Sequence, residues 1–220
     1  MAHLPSVTSS DVILPLHTLA GTLSLPKNSN GLIVFAHGSG SSHLSPRNIA
    51  VARALNGRNF GTFLFDLLTQ EEEADRANVF DIPLLAERLI EAVQWLDGHA
   101  PAIRHLPIGL FGASTGAAAA LVAAAQIPER IDAVVSRGGR PDLAGDALAK
   151  VRAPTLLIVG GADHSVIELN EEAFSRLRAP KAIEIVAGAT HLFPEPGAMD
   201  AVIGHAARWF ESYLIEPRSG

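Results

Sequence analysis

The chain has 220 residues, nearly half of them hydrophobic (48%), and a formal charge of −6 from 17 Lys plus Arg against 23 Asp plus Glu. That length fits a single domain with a sizeable core, and the mild acidity argues against a nucleic-acid binder, which would carry a basic stripe. With no cysteine, disulfides, thiolate nucleophiles and Cys-based zinc sites are excluded.

In chain order, Met1–Pro5 shows no basic segment leading into an apolar one, so no secretory leader is expected. No apolar run approaches the roughly 18 residues of a membrane helix, and the plain expectation is a cytoplasmic protein. Val12–Leu16 and Leu19–Leu25 predict an antiparallel hairpin at a sheet edge. Gly31–Ala36 is continuously apolar, as in a strand buried on both faces. Phe60–Asp66, Leu106–Phe111, Ile131–Ser136, Pro154–Gly160 and Ala182–Val186 repeat that pattern. Between Ile82 and Leu96, the residues Ile82, Leu85, Ala86, Leu89, Ala92, Val93 and Leu96 share one helical face. Ala117–Ala125 reads as a core helix, and a last helix spans about Gly197–Leu214. The sum is an α/β fold with about eight mostly parallel strands and six helices on both faces, spanning residues 1–220 as one domain.

The segment Gly112-Ala113-Ser114-Thr115-Gly116 lies between a predicted strand and a predicted helix. G-x-S-x-G in that setting forms a sharp turn that lifts a serine above the sheet. A serine hydroxyl needs a base, and the base needs a carboxylate to hold its tautomer. The order expected on such a sheet is Ser, acid, His, which Ser114, Asp163 and His191 supply, each just past a strand's carboxyl end. His164 and Glu168 are weaker alternatives, and Asp66 precedes Ser114 and breaks the order. The oxyanion donors are expected to be the N–H groups of Thr115 and of Ser39, with Gly40 as the alternative, from the loop His37–Ser42. His37 is expected to brace that loop. The loop is not a phosphate-binding P-loop, because the G-K-[ST] ending is missing.

Only Arg137 to Ala153 separate one predicted strand from the next, with room for a short helix near Leu143–Val151, so no cap domain is expected. Arg137 and Arg140, in the same Gly-rich stretch, could clamp a carboxylate or phosphate, with Arg47 a weaker candidate and pairing with Asp142 the plainer alternative. Glu71–Glu73 reads as a solvated acidic turn.

With Val34–Ser42, Ser45–Asn48, Phe111–Ala117 and Ser136–Leu143 in view, the chain resembles the α/β-hydrolase superfamily. Within it the chain resembles the dienelactone-hydrolase-like group, and more narrowly a set of bacterial hydrolases that also occur fused to a phosphoribosyltransferase domain. The resemblance implies a serine hydrolase acting on small carboxylic esters, lactones or thioesters, without metal or organic cofactor. It also implies a functional link to a phosphoribosyltransferase. Dienelactone hydrolases proper carry a cysteine nucleophile, so Ser114 points to ordinary ester or lactone hydrolysis. An acyltransferase with the same triad, or a non-catalytic hydrolase-like partner domain, are the alternatives.

Overall fold

In the computed structural model, which describes residues 5–99 and 103–215, one eight-stranded sheet organises the chain. Residues 1–4, on which most of the leader reading rests, lie outside that range. The strands are β1 (Val7–Leu14), β2 (Leu19–Pro26), β3 (Gly31–Ala36), β4 (Phe60–Phe65), β5 (Ile108–Ala113), β6 (Ile131–Arg137), β7 (Thr155–Gly160) and β8 (Lys181–Val186). Their order across the sheet is β1-β2-β4-β3-β5-β6-β7-β8, with β2 antiparallel to both its neighbours, β1 and β4, and the remaining pairs parallel.

The helices are α1 (Pro46–Asn56), α2 (Gln70–Glu73), α3 (Arg76–Val79), α4 (Ile82–His99), α5 (Thr115–Gln126), α6 (His164–Arg176) and α7 (Ala198–Phe210), with a 3-10 segment at Pro141–Lys150 and a π turn at Glu211–Ile215. The continuously apolar strands β3, β4, β5 and β7 are buried along their whole length. Alternate side chains feed two cores. Leu32, Val34, Phe63 and Leu110 meet α4 and α5, and Ile33, Phe35, Phe111 and Val135 meet α1 and α7. Among the described residues no helix is long and apolar enough to cross a membrane.

Two expectations change. The first strand begins at Val7, five residues before the predicted start, because Thr8–Asp11 pair with β2 while both faces stay largely exposed. An exposed edge strand carries no hydrophobic alternation to read. The acidic run Glu71–Glu73 is helix α2, not a loose turn. Thr69 and Glu72 close a capping box, each side chain bonding the other's backbone N–H, and Glu72 binds the buried Arg88 at 2.8 Å. Between β6 and β7 there is only the 3-10 segment, kinked at Gly145, and no cap.

The chain runs from β3 outward to β4, then returns to the other side of β3 to form β5. The crevice at such a reversal is where open α/β sheets bind ligands. Loop 37–45 leaves β3 there, and Ser114 leaves β5.

Candidate active site

Ser114 is the N-cap of α5, with φ 51 and ψ −123. A non-glycine residue in that sparsely populated region costs on the order of 1–3 kcal/mol and persists only where its surroundings enforce it. The enforcement is visible at Gly116, where a Cβ would lie 2.2 Å from Ala36 O. Only glycine lets α5 start that close to β3. Ala117–Ala120 behind it are fully buried, so small side chains keep the helix pressed on the sheet.

Asp163 is the residue before α6, yet its side chain caps nothing in that helix. Instead Oδ2 accepts from His191 Nδ1 at 2.7 Å. The backbone sets this pairing: Ala162 N donates to Ala189 O at 2.9 Å and Gly161 N to Val186 O at 2.8 Å, zipping the loop after β7 to the loop after β8. Asp163 is largely shielded, at 15% side-chain exposure, whereas His191 is open at 39%. With Nδ1 engaged, Nε2 is left as the proton acceptor.

Loop 138–140 joins the two halves. Arg140 N donates to Ser114 O at 3.1 Å, and Gly138, at φ 51, lies where a Cβ would be 2.8 Å from His191 O and 3.8 Å from its Cε1. Asn170, fully buried, holds this loop by donating to Gly139 O at 3.1 Å. Among the described residues no hydrogen bond joins Ser114 Oγ to His191. Such bonds are often long in ligand-free enzymes and tighten around substrate.

Ser39 and Thr115 line one small cavity of about 10 Å³ with His37, Gly38, Leu67 and Val79, a space on the scale of a single water. His37 braces it as expected. Its Nε2 accepts from Leu67 N at 3.0 Å, which makes the ring neutral and lets Nδ1 donate to Gly38 O at 3.0 Å. Burial holds its pKa below the usual histidine value. Ser39 and the exposed Gly40 continue into a cavity of about 290 Å³ walled by Glu73, Arg76, Val79 and Phe80. A larger cleft of about 510 Å³ lies beside β1, β2 and α1 and touches none of Ser114, Asp163 and His191.

The alternatives separate clearly. His164 and Glu168 are exposed on α6. Asp66 sits after β4 and serves His43, accepting its backbone N–H at 2.7 Å and standing 2.9 Å from its Nδ1. Arg140 is taken up by a bidentate pair with Asp142 at 2.9 and 2.8 Å, which raises its pKa. Arg137 differs: it is buried, and among the described residues its side chain donates to Asn48 Oδ1, at 3.1 Å, and to no carboxylate. Reading by motif missed His43 and its pairing with Asp66, Asn170 and the α2–α3 wall. The capping box Thr69-Gln70-Glu71-Glu72 was the one sequence signal for that wall.

The dienelactone hydrolase family model matches residues 19–213, nearly all of this architecture. The chain belongs to the dienelactone hydrolase family. It is 52% identical to the crystal structure of a dienelactone hydrolase from Anabaena variabilis, with a TM-score of 0.89, covering 96% of this chain and 100% of that one. Est1E from Butyrivibrio proteoclasticus shares the fold at 14% identity and a TM-score of 0.79, covering 94% of this chain and 99% of that one. A Mycobacterium tuberculosis protein named "Putative phosphoribosyl transferase" is 56% identical over 199 residues. Those residues are 90% of this chain but 45% of that protein, so the chain spans about half the length of the curated relatives it matches.

Proposed function

We propose that this member of the dienelactone hydrolase family is a serine hydrolase of small carboxylic esters, lactones or thioesters, working through an acyl-enzyme. The observation that carries the reading is the 2.7 Å His191–Asp163 pair on the sheet edge where Ser114 stands in its strained turn. Ser114 Oγ attacks the carbonyl carbon while His191 Nε2 takes its proton. Negative charge collects on the carbonyl oxygen, held by the N–H groups of Ser39 and Thr115, each worth roughly 3–4 kcal/mol in such sites. Collapse breaks the ester bond, and His191 returns the proton to the departing alcohol or thiol. A water, deprotonated by His191, then attacks the acyl-Ser114; the bond from the acyl carbon to Ser114 Oγ breaks, His191 returns the proton to Oγ, and the acid leaves. Asp163 orients the imidazole and stabilises the imidazolium.

A fold neighbour, Est1E, has been solved with ferulic acid bound, which supports small acyl groups, as does the 290 Å³ cavity beside Ser39. The phosphoribosyl-transferase-named relatives support a working link between this hydrolase and such an enzyme. The test is turnover of p-nitrophenyl esters, a γ-lactone and a thioester by wild type and Ser114→Ala. Loss of all turnover in the variant supports the reading; equal turnover refutes it. Addition of an alcohol acceptor in the same assay separates hydrolysis from acyl transfer by product ratio.

A further inference from the structure

The proposed ester chemistry leaves one buried charge at the site unused. Arg137 ends β6, level with Ala113 in the parallel register and so one residue from Ser114. It is 5% exposed. Its Nη2 donates to Asn48 Oδ1, its Nε has no hydrogen-bond partner, and no carboxylate pairs with it among the described residues. Burial and the neighbouring Arg47 lower its pKa to about 10, which leaves it charged at neutral pH. A guanidinium enclosed with one neutral partner is costly unless an anion completes it.

The side chain reaches the start of α1, and that start is uncompensated as well. Ser45 makes no side-chain cap bond, the first turn holds no acid, and Pro46 opens the helix. The N–H groups of Arg47 and Asn48 therefore present the positive end of the helix without intrahelical acceptors. Asn48 is 3% exposed and Arg47 stands at the surface. Two guanidinium groups and an uncapped helix start thus converge on the segment Ser45-Pro46-Arg47-Asn48, which the hydrolytic steps do not use.

We propose that Arg137, Arg47 and the first turn of α1 form a binding site for a phosphoryl group, and that the ester attacked by Ser114 carries that group as a handle. A phosphate dianion balances both arginines, and its several oxygens suit the fork of Arg137 together with helix N–H donors. A carboxylate balances only one charge. The phosphate does not react: it holds the ester in place, so binding energy far from the carbonyl serves the chemistry. This names the substrate class of the serine-hydrolase reading and rests on it for the position of the ester. The anion site itself is tested by binding alone.

The experiment is titration calorimetry of inorganic phosphate, at fixed ionic strength, into wild type, Ser114→Ala, Arg137→Gln and Arg47→Gln, with acetate as the comparison anion. Saturable phosphate binding is expected for wild type and Ser114→Ala, with the dissociation constant raised at least about tenfold in each arginine variant, since a hydrogen bond to a charged group is lost. The exposed Arg47 decides the matter should Arg137→Gln fail to fold. No saturable phosphate binding, acetate binding as tight as phosphate, or unchanged affinity in Arg47→Gln overturns the site. Phosphate binding by a protein whose Ser114 proves unreactive upholds the anion site and sinks the hydrolase reading instead.

Discussion

A single methyl group at position 38 tests how tightly the site is built. A Cβ on Gly38 would lie 2.8 Å from Ser114 Cβ and 3.1 Å from Ala113 O. Carbon pairs settle at about 3.5–4.0 Å, so Gly38→Ala must push loop 37–42 and Ser114 apart by roughly 0.7–1.2 Å. Displacements of that size at a reacting group cost about 10²-fold in rate. The overpacking itself costs about 1–3 kcal/mol, or roughly 2–12 °C in melting temperature for a chain this size. The contrast is Gly145→Ala, in the 3-10 segment, where φ is 53 but no atom lies within 4 Å of a new Cβ. That variant is expected to lose about 1 kcal/mol from backbone strain and to keep full turnover per folded molecule. Ester kcat/KM and thermal unfolding, measured on both variants, separate the two effects. Full activity in Gly38→Ala would mean that Ser114 and loop 37–42 do not act together.

Asp163→Asn should lower kcat about 10⁴-fold by fixing the wrong His191 tautomer, while near-wild-type kcat would remove Asp163 from the reading. Burial depresses the His37 pKa, so the unfolded chain takes up a proton below about pH 6.5 that the folded chain refuses. Stability should therefore fall as pH drops through that value, by at most about 1.4 kcal/mol per pH unit from this group. Unfolding free energies from pH 8 to 5 should show a shallower fall in His37→Asn, and an equal slope would exclude His37 as the source. Phe80, half exposed on the wall of the cavity beside Gly40, should change preference among acyl chain lengths when cut to alanine, with little change in melting temperature. An unaltered chain-length profile would place the acyl group elsewhere.

Most of the fold was legible because its strands are buried on both faces: a run such as Gly31–Ala36 has no other comfortable place in a folded protein. The pairing of Asp163 with His191 could be anticipated because both follow parallel strands and so share one sheet edge. What escaped depended on partners distant in sequence. His43 and Asp66 are joined only because β3 and β4 are neighbours, and Glu72 meets Arg88 only once α2 folds back on α4. Arg137 and Arg140 look alike in sequence, three residues apart. In space Arg137 is sealed against α1 and Arg140 is bound by Asp142, a difference set by their places, the last residue of β6 and the residue before the 3-10 segment, rather than by residue type.

The central claim is an activated serine at position 114, and intact-mass labelling with a fluorophosphonate probe tests it most directly. One adduct on wild type and none on Ser114→Ala is the expected result. An unlabelled, folded wild type, or equal labelling of Ser114→Ala, would contradict it.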